Sequence, residues 1–194
     1  MTTAQTPRQV RRNRMLLLAI FAVFLGSLVI AGALRFAGWR PAGMKNHGEL
    51  LQPPGDLRAV VPRLVDGGDY HWNPGERMWR IALAPPVGCT DACVKLGHEI
   101  GIVWQLMGKD ADHVEVLWIG VPPPDVARGG ALRVLQADAA LRAGLPRVDG
   151  APGEDPVGVP VYVIDPNGFV ILRYAPGFDP SGLRADLARL LKLM

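Results

Sequence analysis

Cysteine is scarce in this chain. Two residues among 194, Cys89 and Cys93, are too few for a disulfide-built scaffold or for a structural zinc cluster made of cysteines. Histidine is also scarce, and no H-E-x-x-H arrangement puts two of the four on one helix face. Glycines are common but never in a phosphate-cradling context. Gly67-Gly68 and Gly129-Gly130 lack a following Lys-[Ser/Thr] and the G-x-G-x-x-G spacing, so they read as turns. No G-x-S-x-G nucleophile elbow is present either. Nucleotide-binding and serine-hydrolase chemistry therefore have no support. Most of the chain also lacks an excess of either charge. The net charge is +3, but Arg8, Arg11, Arg12 and Arg14 supply four positive charges with no acid among them, and the remaining 17 basic residues face all 18 acids. The basicity belongs to a tail, and a nucleic-acid-binding surface is not indicated.

The hydrophobic fraction is 49% and the charged fraction 20%, enough apolar side chain to bury a core. The length suits one domain plus an appendage. That appendage begins as a basic tail, residues 1–14. Residues 15–34 (MLLLAIFAVFLGSLVIAGAL) then run for 20 residues without a charge, which as a helix covers about 30 Å, the thickness of a bilayer core. The run is longer than the h-region of a typical cleaved signal peptide, although Ala31-Gly32-Ala33 imitates a cleavage site; an uncleaved anchor is the favoured reading. Arginines crowd its N-terminal side, so the tail is expected in the cytoplasm and the rest of the chain across a bacterial inner membrane, in the periplasm. Trp39 suits the interface beyond the span. Residues 35–56, rich in Pro and Gly, read as a tether, and 57–194 as the folded domain.

Within the domain, 57–65 is a short strand candidate. Residues 78–84 (MWRIALA) and 113–121 (HVEVLWIGV) are nearly continuous apolar runs of the kind covered on both faces. Between them Thr90 suits an N-cap and Asp91 a first turn. Cys93, Leu96, Ile100, Val103 and Met107 mark one helical face, and Gly108 a stop. Residues 131–136 suggest a strand and 138–144 a short helix. Residues 159–165 (VPVYVID) and 169–174 (FVILRY) flank Pro166-Asn167, which predicts a tight hairpin, and 181–193 carries Leu183, Leu187, Leu190 and Leu191 on one side of a closing helix. Alternating strands and helices predict an α/β fold with a partly parallel sheet and helices on both faces, made mixed by the final hairpin.

Cys89 and Cys93 stand where the first covered strand gives way to a helix. If both are helical, their i, i+4 spacing puts them on one face, close enough for a disulfide or for sharing one metal ion. A helix N-terminus stabilises a thiolate, while Asp91 between them opposes it. A structural disulfide and two small buried hydrophobes are the inert alternatives. The strand-to-helix location favours a functional pair, because ligands of α/β sheets gather at the carboxyl ends of strands.

The pattern WRIALAPPVGCTDAC, followed by VPVYVIDPNGFVILRYAPGFDPSGLRADLARLLK, resembles the thioredoxin-like superfamily. C-x-x-x-C behind a single anchor, with an opening N-x-G-x-L-x-x-P (Asn46, Gly48, Leu50, Pro53), is similar to the Sco/SenC group of cytochrome oxidase assembly proteins, over about residues 45–193. The resemblance implies a thioredoxin-like fold with an N-terminal extension. It implies a partner in a cytochrome oxidase subunit or another copper or thiol protein. It also implies either Cu(I) delivery or thiol–disulfide exchange through Cys89 and Cys93. A docking module with a structural disulfide is the alternative, and a general oxidoreductase ranks third, because its usual spacing is C-x-x-C.

Two details bear on that implication. The group's copper site uses a histidine a few residues before the final hairpin, and Val157 stands at that position. His98 points roughly 140° from Cys93 and roughly 180° from Cys89 on a helix, so it is a poor substitute. Two thiolates alone suit soft Cu(I) and not Cu(II). Gly158-Val159-Pro160 resembles the cis-proline segment of thioredoxin-like reductases, which makes Pro160 a candidate for the groove that receives a substrate thiol.

Overall fold

A computed structural model describes residues 7–37, 46–150 and 155–193. The chain divides into two units, Met1–Lys45 and Asn46–Met194. Residues 38–45 of the expected tether, Trp39 among them, lie outside the described residues.

In the first unit, helix α1 spans Pro7–Phe36. Its segment Arg11–Phe36 holds an 18-residue stretch with a mean hydropathy of 2.6 and is long and apolar enough to cross a membrane. It shows no polar stripe of the kind an amphipathic surface helix carries. The Ser27 hydroxyl donates to the carbonyl of Phe24 at 2.8 Å, so the one hydroxyl of the apolar run is satisfied within the helix.

The second unit is built on a six-stranded mixed sheet. The strands are β1 (Glu49–Asp56), β2 (Trp79–Leu83), β3 (Val114–Ile119), β4 (Leu132–Leu135), β5 (Val161–Ile164) and β6 (Phe169–Tyr174), in the order β1-β6-β5-β2-β3-β4. β2 and β3, and β3 and β4, pair in parallel; β2 and β5, β5 and β6, and β1 and β6 pair antiparallel. The helices are α2 (Asp91–Gln105), α3 (Ala139–Ala143) and α4 (Pro180–Leu190).

Side-chain alternation sorts the core into two layers. Ile81, Leu83, Val116, Trp118, Val161 and Val163 face α2 and α4, meeting Cys93, Ile100, Val103, Leu183 and Leu187. Ala82, Leu117, Ile119, Tyr162 and Ile164 face the other way, onto Leu57, Leu141 and Leu145. Every residue of β2 and β5 is buried, as expected of strands covered on both faces. The mixed α/β architecture inferred from the sequence is therefore present, with helices on both faces. Asp138 caps α3 by accepting from Leu141 N–H, and Asp179 caps α4 by accepting from Ser181 N–H.

Two boundaries differ from the sequence reading. Glu49–Asp56, expected as the end of the tether, is the edge strand β1, paired with β6 as Glu49↔Arg173 and Asp56↔Phe169. An edge position tolerates Pro53 and Pro54, and the pairing skips across them between Leu50 and Gly55. Residues 57–65, expected as a strand, form a loop that meets β4 through the bridge Leu64↔Leu135 and the bond from Val65 N–H to Val134 O (2.9 Å), and closes on itself through Arg63↔Asp69. Its apolar residues Leu57 and Val60 are spent on covering the sheet.

Candidate redox site and its two flanks

β2 ends at Leu83, and Pro85 and Pro86 prevent its continuation. The chain then turns through Gly88, whose φ of 81° is open to glycine at little cost. Cys89 N–H donates to Pro86 O at 3.3 Å and closes this turn. Cys89 therefore precedes α2 instead of lying within it, and only Cys93 is helical. Thr90 occupies the N-cap position but makes no side-chain capping bond. The backbone turn nevertheless brings the two Cα atoms to 5.8 Å, and Cys89 and Cys93 form a disulfide.

The two sulfur-bearing residues are unequal. Cys93 is fully buried in the core layer beneath α2, whereas Cys89 is only partly buried. An incoming thiolate can approach Cys89 from solvent, and Cys93 is shielded by the helix it belongs to. Asp91, in the first turn of α2, is exposed.

On the β5–β6 flank of this turn, Pro160 leads into β5. The register Leu83↔Val161 sets it at the sheet end that carries Cys89. Pro160 is buried and the Val159–Pro160 bond is trans. The bond therefore differs from the cis-proline of the segment it resembles, and Pro160 packs at a strand start, a usual place for proline. The preceding loop is tied down by Asp155, whose Oδ2 lies 2.5 Å from Arg173 Nη2, with both side chains buried. Val157, between these anchors, is fully exposed.

Further out on the same flank, Asp186 of α4 is buried among apolar neighbours; Arg189 Nη1 donates to its Oδ1 at 3.3 Å, and four further hydrogen bonds reach it from the chain ahead of β1 and from β6. They come from His47 N–H (2.7 Å), Gly48 N–H (3.0 Å), the Tyr174 hydroxyl (2.8 Å) and His47 Nδ1 (3.1 Å). Burial works against the charge of Asp186, but the bonds from Gly48, Tyr174 and His47 outweigh it and hold the carboxyl below its ordinary range. Burial, reinforced by Asp186, pushes the Tyr174 hydroxyl far above its usual value. Gly48 is required here, since a Cβ would stand 2.6 Å from the Tyr174 ring.

Of the four histidines, His47 belongs to this clamp and His98 is exposed on α2. His113 precedes β3 and His71 lies near Asn167 of the hairpin turn, both at the sheet end opposite the cysteines. Among the described residues no three His, Cys, Asp or Glu side chains are grouped to hold a metal ion. What the cysteines offer a metal is therefore two sulfurs once the disulfide is reduced, a donor set that fits a soft, low-coordinate ion.

The buried charges were hidden in the sequence. Arg80 and Arg173 interrupt apolar strands where alternation suggests solvent, but both are almost fully buried. Arg80 donates to the Tyr70 hydroxyl and to the carbonyls of Met78, Asp165 and Pro166. Asp186 carried a usable signal: it lies three residues after Leu183 and four before Leu190, inside the apolar face of the closing helix.

Solved structures resemble this fold. BsSco, a member of the Sco family of cytochrome c oxidase assembly proteins that is described with a disulfide switch, aligns over 76% of this chain and 98% of its own at 11% identity, with a TM-score of 0.54. Xanthomonas campestris Peroxiredoxin Q aligns over 75% of this chain and 96% of its own at 14% identity and a TM-score of 0.47. Bradyrhizobium japonicum ScoI, solved with copper bound, aligns over 74% and 98% at 21% identity and a TM-score of 0.46. No curated protein matches this chain in sequence. The family model described as "Transmembrane-like, thioredoxin-like, C-terminal domain" matches residues 79–194, and the chain belongs to that family.

Proposed function

We propose that the chain is a membrane-anchored thiol–disulfide exchange protein that serves the assembly of a cytochrome oxidase copper site. The observation that carries this reading is the asymmetric disulfide at the start of α2, with Cys89 partly open and Cys93 closed. In the reduced protein the Cys89 thiolate attacks one sulfur of a client disulfide. A mixed disulfide forms and one client sulfur leaves as a thiolate. The Cys93 thiolate then attacks Cys89 Sγ, the mixed disulfide breaks, and the second client thiolate departs. The client disulfide is reduced by two electrons and the Cys89–Cys93 pair is oxidised by two. The order follows from access: Cys93 is near Cys89 and hidden from the client.

The arginines in the first turns of α1, ahead of the apolar run, favour residues 1–14 in the cytoplasm, residues 15–34 in a bacterial inner membrane and the thioredoxin-like unit in the periplasm, an oxidising space where a disulfide persists. The client is a cytochrome oxidase subunit whose copper-binding cysteines must be kept reduced.

A second reading rests on the same geometry. Two reduced sulfurs held at this separation accept one Cu(I) ion as cargo, and with Val157 where a third ligand is expected, Cu(II) is held weakly. The deciding experiment titrates the reduced chain with Cu(I) against a competing chelator and measures the potential of the pair in parallel. Tight one-to-one Cu(I) binding that is lost in Cys89→Ser supports delivery. No competitive binding, with a pair that cycles reversibly, supports exchange. A pair that binds no copper and stays below about −300 mV is a structural disulfide, and both readings then give way to a docking module.

A further inference from the structure

Beside the cysteine turn, on the side away from Pro160, the open ends of β2, β3 and β4 enclose a hollow of about 660 Å³. Gly88, next to Cys89 in the chain, is part of its wall, together with Pro85, Pro86, Val87 and Val121, and Val65 on the rim; Pro160 does not line it. Val87 is 107% exposed, Val121 92% and Val65 57%. Among the described residues of the second unit, the three most exposed large apolar side chains are Val87, Val157 and Val121, and all lie at the sheet end that carries Cys89. Apolar exposure concentrated beside a reactive group marks a recognition surface.

The charges in the hollow are already engaged. Asp138 caps Leu141 N–H, and Arg142 donates to the carbonyl of Ala84 at 3.0 Å and pairs with Asp149. The lining thus offers no spare charge to an ionic ligand. A small charged thiol such as glutathione gains nothing there, whereas apolar side chains on either side of a partner cysteine would cover the valines as that cysteine reaches Cys89. This volume is in the range of ordinary ligand pockets and accommodates several side chains.

We infer that the hollow on the β3–β4 side is the client-docking groove, and that its occupant is a polypeptide segment carrying apolar residues next to the cysteine that exchanges with Cys89. This rests on the exchange reading above and names what that site selects. The reaction is the one already written, with a disulfide-linked peptide dimer as the client: two peptide thiols are released and the Cys89–Cys93 disulfide forms.

The test uses the full chain in detergent, reduced beforehand. Its oxidation is followed with two probes, oxidised glutathione and the disulfide dimer of a short peptide whose cysteine is flanked by valine and leucine. The peptide is expected to react about tenfold faster than glutathione, a ratio worth about 1.4 kcal/mol. Val121→Asp and Val65→Asp, both at exposed positions, are expected to bring that ratio close to one. Val61→Asp, on the loop after β1 and outside this hollow, should leave it as it is. A wild-type ratio near one, or a ratio that survives both groove substitutions, overturns the groove. Failure of the pair to be oxidised by either probe, or re-reduced by dithiothreitol, overturns the exchange reading itself, so the two failures are distinguishable.

Discussion

The two flanks of the cysteine turn are built on opposite principles. On the β5–β6 side the chain is closed by buried ions: Asp155 on Arg173 holds the loop before β5, and Asp186 holds His47 and Gly48 just ahead of β1. On the β3–β4 side there is a hollow walled by prolines and exposed valines, with its few charges satisfied internally. Buried polar groups fix a loop because leaving any partner unmade costs a full desolvation penalty. Exposed apolar groups fix nothing in the free protein, so their energy remains available for binding. The difference teaches where to look for recognition: the sequence pointed to Pro160, which lies on the closed flank, and the open flank is the other one.

The contrast can be broken from its strongest side first. Arg173→Met leaves the Asp155 carboxylate buried without its main cation and should cost about 3–5 kcal/mol, read as a fall in the thermal midpoint of the full chain in detergent. Asp186→Ala orphans the Gly48 and His47 amides and the Tyr174 hydroxyl, an expected loss of about 3 kcal/mol. Because the Asp186 carboxyl titrates below its ordinary value, its contribution is complete above the unfolded pKa of about 3.9 and disappears as the pH falls through the folded one. A stability–pH profile of Asp186→Asn should accordingly be flatter than wild type in that acid window, and parallel profiles would exclude a role for this carboxylate. Reduction of the Cys89–Cys93 disulfide, which closes a loop between residues only four apart, should cost about 2 kcal/mol by chain-entropy reasoning. Chemical denaturation with and without reductant measures it. Least of all, Val121→Asp should shift stability by no more than about 0.5 kcal/mol, as at an ordinary surface position, while altering client selection. A large loss of stability there would mean that the open flank is packing and not surface.

The sequence displayed the elements that obey one rule at a time. Residues 169–174 were read to their ends because FVILRY is apolar and bounded by a turn. The strands around MWRIALA and HVEVLWIGV were found because full burial leaves them almost uninterrupted. β1 was missed because Pro53, Pro54 and Gly55 signal a linker, and only the neighbouring edge of β6 makes an extended strand of them. The cysteine pair was legible from its position after β2. The burial of Pro160, the pairing of Asp155 with Arg173 and the inequality of the two sulfurs were not, since each depends on what tertiary packing brings over the residue and leaves no periodic trace.

Asp186 also has a mechanical meaning. A pull on the chain ahead of Asn46 reaches His47 and Gly48 before it reaches the first ladder pair, Glu49↔Arg173. Without the clamp such a load would peel an edge strand from its end, one hydrogen-bonded rung after another. With it, the load passes sideways into the last helix of the chain and must strain several bonds at once. A load entering through Asn46 is thereby taken up before it reaches the sheet that presents Cys89.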